Sequence, residues 1–279
     1  MASPTLAPHR LDERAVCLND RRDQDVKVKL LCSSVGTDEG HQFLMSYLVD
    51  ESLVIDAGSI GFISPPGLQE RIQDIFLSHS HIDHIASLPI FLDNVYRPGP
   101  NAPMIYGNRA TLDSLRRDFF NDRIWPDLFR LSQTETPFLR TQEIESGRPV
   151  VVGKYRVTPV ELNHVVPTLG FVVSDGSSSF AVVSDTAPTD EIWKVINSAP
   201  NLKGCFLEAS FPDEMDWLAV KSMHLTPAKF KGEVGKLQRD VPVIAVHIKP
   251  TFRSSVLAEL QNLDLPNLEI GEPGQEYTF

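Results

Sequence analysis

Apolar and polar positions alternate with period two from Val26 to Val35 and over Phe43 to Val49, and a third apolar run follows from Ser52 to Ile55. Successive side chains of a strand point to opposite faces, so these runs predict strands. Asp56-Ala57-Gly58-Ser59 turns the chain away from the third. Pro66 to Gln73 predicts a short helix, and Ile75 to Ser78 a strand. His84 to Tyr96 has helical spacing and stops before the breaker Arg97-Pro98-Gly99-Pro100. Met104 to Tyr106 reads as a strand, and Ala110 to Phe120 as an amphipathic helix.

The second half repeats the style. Val150 to Leu162, Gly170 to Ser174 and Phe180 to Ser184 are strand-like, with Asp175-Gly176-Ser177-Ser178 as a hairpin turn and Ser177-Ser178-Ser179 as its polar tip. Asp190 to Asn197 reads as a helix, while Cys205 to Leu207 and Val243 to Val246 suit buried strands. Thr226-Pro227 supplies an N-cap and a first helical position for a helix reaching about Leu237. These elements describe an α/β protein with two sheets and helices outside them, each half in similar order. No repeat and no long Pro/Gly linker divides the chain. The expected organisation is a loose extension over residues 1–25 and one pseudo-symmetric domain over 26–279.

Composition narrows the classes. With 42% hydrophobic and 23% charged residues in 279, the chain can bury a proper core. Acidic residues outnumber basic ones by 37 to 26, a net charge of −11, which argues against the broad phosphate-gripping surface that long nucleic acids require. Cys17, Cys32 and Cys205 form no CxxC pair, so buried free thiols are expected rather than a disulfide framework or a thiolate zinc site. No stretch reaches the ~18 apolar residues that span a bilayer, and the first 25 residues lack the apolar core of a secretory signal. A cytoplasmic protein without membrane partners is expected, with a homodimer as the common default for soluble assemblies.

The densest chemistry is His79-Ser80-His81-Ile82-Asp83-His84, directly after the strand-like Asp74-Ile75-Phe76-Leu77-Ser78. Three imidazoles and a carboxylate so close together crowd lone pairs unless a cation satisfies them, and these are ligands that suit zinc and its first-row neighbours. In extended backbone His79 and His81 point to the same side and can share one ion, whereas Asp83 and His84 project differently and could serve a second. Four later residues stand at the ends of strand-like runs: His164, Asp185, Glu208 and His247. Taken singly, each reads more readily as a turn former or a satisfied hydrogen-bonding group. Taken with the run, they point to metal.

His79, His81, Asp83 and His84, followed in order by His164, Asp185 and His247, resemble the ligand set of the metallo-β-lactamase fold, in its dinuclear phosphodiesterase branch. Phe119-Phe120-Asn121-Asp122-Arg123-Ile124-Trp125-Pro126, Glu208-Ala209-Ser210-Phe211, Met223-His224-Leu225-Thr226-Pro227 and His247-Ile248-Lys249-Pro250 further resemble class II cyclic-nucleotide phosphodiesterases. The likeness runs from about Val26 to about Arg253. It departs at Ala86-Ser87-Leu88, where glycine is expected in the middle, and serine there should alter helix packing more than chemistry.

The resemblance implies a four-layer αββα sandwich of two mixed sheets with helices outside. It also implies two divalent ions, zinc first and manganese or iron as alternatives. His79, His81 and His164 would hold one ion, Asp83, His84 and His247 the other, and Asp185 would bridge them. Ions about 3.5–4 Å apart can share and acidify a water. Hydrolysis of a 3′,5′-cyclic nucleotide, cAMP or cGMP, to its 5′-monophosphate is the implied reaction, with a small-molecule substrate. Asp83 could orient the attacking water, and His224, oriented by Glu208, would protonate the leaving 3′ oxygen; the alternative for His224 is a packing role at the helix start.

Other readings stay open. Asp56 is either a residue orienting a metal-binding imidazole or a structural turn. Asn163 is a phosphate contact or, more ordinarily, a turn residue, and His41 sits in a loop that could overhang the site. His9 carries no role. Phe119, Trp125 and Phe129 form either an aromatic lid over a base or, more ordinarily, the packing face of a helix. An RNA-processing nuclease is disfavoured by the acidic balance and by the lack of a long Gly/Pro-rich insertion. A metal-binding sensor or redox protein is a third class, but a di-iron redox version should carry an acidic residue where His81 stands.

Overall fold

The computed structural model describes residues 25–33 and 42–279. The extension expected over residues 1–25, apart from Asp25, and the positions Cys17, His9 and His41 lie outside them. Among the described residues the first half forms strands β1 (Lys27–Leu30), β2 (Tyr47–Val49), β3 (Leu53–Ile55), β4 (Asp74–Phe76), β5 (Met104–Gly107) and β6 (Arg140–Glu143). The second half forms β7 (Val150–Val152), β8 (Tyr155–Leu162), β9 (Thr168–Ser174), β10 (Ser179–Val183), β11 (Leu202–Glu208), β12 (Val243–Val246) and β13 (Leu268–Ile270). The final strand, β14 (Glu276–Thr278), crosses back to pair with β1. The result is two seven-stranded sheets, ordered β14-β1-β2-β3-β4-β5-β6 and β13-β12-β11-β10-β9-β8-β7.

Each sheet is antiparallel at one end and parallel at the other. In the first, β3 to β6 run parallel; in the second, β10 to β13 do. Parallel strands present their carboxyl ends at one edge, which is where α/β sheets gather functional loops.

Helices cover the outer faces. On the first sheet lie α1 (Ile82–Ile85), α2 (Leu88–Val95), α3 (Arg109–Ser114) and α4 (Leu128–Leu131); the second half adds α5 (Glu191–Ser198), α6 (Asp216–Ser222), α7 (Pro227–Val234) and α8 (Arg253–Gln261). Three apolar cores separate the four layers of this αββα sandwich. The middle one interleaves both sheets, including Tyr47 and Phe76 from the first and Phe171 and Phe206 from the second. Ring centroids of Phe76 and Phe171 stand 5.8 Å apart, edge to face, across the layers. The outer cores seat Phe91 and Leu92 of α2 on the first sheet, and Trp193 of α5 and Phe230 of α7 on the second.

Several elements differ from the sequence reading for identifiable reasons. The helix read from His84 to Tyr96 is broken at Ala86-Ser87, because Pro89 has no N–H to carry the ladder and fits only a fresh first turn. The run from Val150 to Leu162 is a hairpin, turned by Gly153 at a φ of 53°. Beyond Ser114, α3 widens into a single turn of π-type spacing over Leu115–Phe119. The helix after Pro227 stops at Val234, short of Leu237. Ser178 and Ser179, read as an exposed tip, are buried. Cys205 is buried as expected, but Cys32 is exposed.

Ser87 shows what its departure does. Its buried hydroxyl donates to the Ala57 carbonyl at 3.0 Å and accepts from the Gly61 N–H at 2.9 Å, tying the start of α2 to the β3 loop.

Candidate metal centre

The polar groups singled out in the sequence meet at the carboxyl ends of the strands. The run His79 to His84 follows β4 and enters α1, His164 follows β8, Asp185 follows β10, Glu208 ends β11 and His247 follows β12. The loop after β3 supports the run from beneath. A Cβ on Gly58 would lie 2.2 Å from the Asp83 carbonyl oxygen, so only glycine lets these two backbones touch. That carbonyl accepts the Met45 N–H at 2.8 Å, which pins Asp83 from a third segment.

Two groups of donors form. Single donor atoms of His79, His81, His164 and Asp185 lie within 4.8 Å of one another, as do those of Asp83, His84 and His247. Asp185, His224 and His247 form a third group within the same limit. Asp185, 2% exposed, is the hub. Its Oδ2 faces Nε2 of His84 at 3.4 Å, His79 at 3.7 Å and His164 at 4.0 Å, and its Oδ1 faces His247 Nε2 at 3.5 Å. These separations exceed ordinary hydrogen bonds. The two shortest, 3.4 and 3.5 Å, are close to the edge of a tetrahedron whose metal–ligand bonds are ~2.0–2.1 Å, about 3.3–3.4 Å. Nε2 of both His79 and His84 is buried without a hydrogen-bond partner, a costly state for an imidazole and the one a ligand nitrogen needs. The residues present therefore fit divalent cations.

The other ring nitrogens of His79, His84 and His164 are held. His84 Nδ1 lies 2.7 Å from Asp56 Oδ2, and Ser78 Oγ bridges that oxygen at 2.9 Å to His79 Nδ1 at 2.9 Å. Asp56, fully buried and at a φ of 61°, also accepts the Ser78 N–H at 2.8 Å. Of its two readings, the geometry favours the orienting one. His164 Nδ1 faces the Met223 carbonyl at 3.0 Å, and Met223 itself closes α6 in left-handed backbone. His81 differs, for it turns Nδ1 toward His164 Nε2 at 3.3 Å.

Charge separates otherwise similar imidazoles. Burial, with His84 alongside, pushes His79 well below the usual histidine range. Burial also opposes charge on His84, but Asp185 and Asp56 outweigh it and hold its pKa well up. Asp83 is partly desolvated, yet the His247 hydrogen bond and its cationic neighbours hold its carboxyl far below the usual range.

Glu208 and His224 make a second arrangement beside the first. Glu208 Oε1 lies 2.8 Å from His224 Nδ1 and accepts the Thr186 N–H at 2.8 Å, while Oε2 accepts from Ser210 Oγ at 2.7 Å and from the Leu225 N–H at 3.2 Å. Burial alone would lower the pKa of His224, but Glu208 outweighs it and raises it. His224 is thus a nearly buried imidazole biased toward carrying a proton.

Three contributors escaped sequence reasoning. Ser78 and Ser210 give no recognisable signal, and Lys249, whose Nζ stands 3.4 Å from Asp83 Oδ2, was visible only as part of His247-Ile248-Lys249-Pro250. Asn163 donates to the Pro188 carbonyl at 3.2 Å, the ordinary turn role. Phe119, Trp125 and Phe129 pack on the outer core of the first sheet, which favours their packing role over a lid. Among the described residues no helix is long and apolar enough to cross a membrane.

Comparison with known proteins adds four findings. The family described as beta-lactamase superfamily domain matches residues 54–248. A probable 3′,5′-cyclic-nucleotide phosphodiesterase of Yersinia pestis is 28% identical over 223 residues, covering 69% of this chain and 63% of that one. A 3′,5′-cyclic-nucleotide phosphodiesterase of Aliivibrio fischeri is 29% identical over 220 residues, covering 67% and 62%. The chain thus spans under two thirds of the length of these curated relatives. The crystal structure of unliganded yeast PDE1 superposes with a TM-score of 0.76 at 17% identity, covering 91% of this chain and 99% of that one, a likeness of fold.

Proposed function

The chain belongs to the beta-lactamase superfamily domain family, and from that premise we propose that it is a metal-dependent phosphodiesterase that opens 3′,5′-cyclic nucleotides to 5′-monophosphates. The observation that carries the reading is the convergence of four imidazole Nε2 atoms on the buried carboxylate of Asp185. The relatives' names supply the substrate class. His79, His81, His164 and Asp185 would hold one divalent ion, zinc or another first-row metal, and Asp83, His84, His247 and Asp185 a second. The chemistry supplied by bound divalent cations is acidification of water and neutralisation of charge at phosphorus.

The chain's own residues do the rest. Asp83, ionised throughout the physiological range, accepts a hydrogen bond from the attacking water and fixes its direction. Lys249 sets a positive charge beside Asp83, which would favour an anionic diester at that point. As a P–O bond to water's oxygen forms, the bond to the 3′ oxygen breaks and that oxygen needs a proton. Glu208 holds the Nδ1 proton of His224, which leaves the Nε2 proton to pass to the leaving oxygen.

The test is direct. Protein loaded with Zn²⁺ or Mn²⁺ is offered cAMP, cGMP, bis-p-nitrophenyl phosphate and a precursor tRNA. Release of the 5′-monophosphate is expected. Preferential cleavage of the tRNA, or inertness toward all four, would overturn the reading.

A further inference from the structure

We propose that Ser210 fixes the tautomer of His247, so that Glu208 governs the second metal position as well as His224. This rests on the metal reading above. Ser210 is fully buried, and its Oγ has four polar neighbours: Glu208 Oε2 at 2.7 Å, His247 Nδ1 at 2.8 Å, the His247 carbonyl at 3.1 Å and His224 Nδ1 at 3.4 Å. A hydroxyl has one proton to give. Carboxylate and carbonyl only accept, and the carboxylate bond is both the shorter and the charge-assisted one. The proton therefore goes to Glu208, and Oγ can only accept from His247.

That acceptance decides the imidazole. A neutral ring carries one N–H, so a hydrogen on Nδ1 leaves Nε2 with a bare lone pair. Nε2 is the atom 3.5 Å from Asp185 Oδ1 and 3.2 Å from Asp83 Oδ2, at the proposed second ion, whose binding would displace the hydrogen that Nε2 otherwise gives to Asp83. With the hydroxyl reversed, the ring would instead aim an N–H at the cation. Ser78 performs the same task for His79 in the first half, between that ring and Asp56. The halves differ in where the carboxylate's direct bond goes: Asp56 grips a ligand, His84, whereas Glu208 grips His224. Glu208 thus serves the leaving-group proton with one oxygen and the metal with the other.

The inference has a consequence that packing alone lacks. In Glu208→Gln the amide nitrogen takes the Oε2 position, because the backbone donor there is the more distant, 3.2 Å against 2.8 Å at Oε1. The amide then donates to Ser210, and the hydroxyl, no longer held as an acceptor by a carboxylate, is free to aim its proton at the His247 carbonyl or at Nδ1, which weakens or ends the bond from Nδ1–H. His224→Asn cuts neither link in that chain.

Long-range ¹H–¹⁵N spectra of the Zn²⁺-loaded protein read the Nδ1–H of His247, and calorimetric titration with Zn²⁺ reads the ions. Wild type is expected to show His247 with Nδ1–H bonded to Ser210 and to bind two ions. Glu208→Gln is expected to lose or shift that Nδ1–H signal and, with Ser210→Ala, to bind one of the two ions ~10–100-fold more weakly, the usual cost of losing an outer-shell partner. Ser210→Thr, which keeps the hydroxyl, should restore affinity, and His224→Asn should keep both tautomer and affinity. Melting curves of the metal-free variants separate this from misfolding. An unchanged Nδ1–H signal together with unchanged metal affinity in Glu208→Gln, or an equal loss of affinity in His224→Asn, overturns the proposal. Failure of wild type to bind ions while its His247 keeps Nδ1–H would instead overturn the metal reading and leave the tautomer assignment standing.

Discussion

The two sheets deliver nearly equal sets of donors by opposite routes. The first concentrates its share in one passage, His79 to His84, laid over α1 after a single strand. The second spends a separate strand on each group: β8 for His164, β10 for Asp185, β11 for Glu208 and β12 for His247. A contiguous cluster is held together by its own covalent chain, and needs only the β3 loop with Asp56 and Gly58 to aim it. A scattered cluster is only as good as the register of the sheet. Pairing of Glu208 with Val246 across β11 and β12 is what brings Ser210 under His247. Local changes should therefore act locally in the first half and spread in the second.

The largest expected effect is at the point both halves share. Asp185→Asn removes the charge facing four imidazoles, and elemental analysis should show both ions lost, with diester hydrolysis at background. A variant that retained one tightly bound ion would show the halves to be independent. His224→Ala is expected to cut turnover by ~10²–10⁴ while leaving two ions bound, the signature of a lost general acid. Unaltered turnover would return His224 to a packing role. In the first half, Asp56→Asn should weaken metal affinity ~10–100-fold through His84 and His79, and leave the His224 pair untouched. Ser87→Ala should cost about 1–3 kcal/mol in denaturant unfolding, since the buried Gly61 N–H loses its partner while the Ala57 carbonyl keeps only the backbone N–H of residue 87, with kcat close to wild type. The smallest effect is a control on the scattered half. Burial pushes the Cys205 thiol of β11 up to about 12, so iodoacetamide at neutral pH should label Cys32 and spare Cys205. Labelling of Cys205 in any variant would report a loosened second sheet.

The same contrast explains what could be read from the chain. Six consecutive residues announce a metal site because no other use of three imidazoles and a carboxylate is economical. His164, Asp185, Glu208 and His247 become legible only as an ordered set, since a polar residue at a strand end is usually a turn former. Ser78 and Ser210 were not legible at all. A serine carries no patterning, and its task is set by which carboxylate and ring fold beside it. The strands at the sheet margins failed for a related reason. β6 is Arg-Thr-Gln-Glu, largely exposed, and β13 and β14 are three residues each, too short for a period to register. α6 shows solvent its Trp217 and Val220, which blurs the apolar stripe that reveals a helix.

β14 also bears on the order in which the molecule can assemble. Its register joins Lys27 to Thr278 and Val28 to Tyr277, and Phe279 exchanges backbone hydrogen bonds with Val26 while its ring stacks on Phe180. Partners some 250 residues apart must find each other, a closure that slows folding whatever the final stability. β1 is made some 250 residues before β14, so that edge of the first sheet stays open to mispairing until residues 276–279 follow. The histidine run after β4 is likewise made before the strands that complete the site, so the donor cluster closes only once the second sheet has formed.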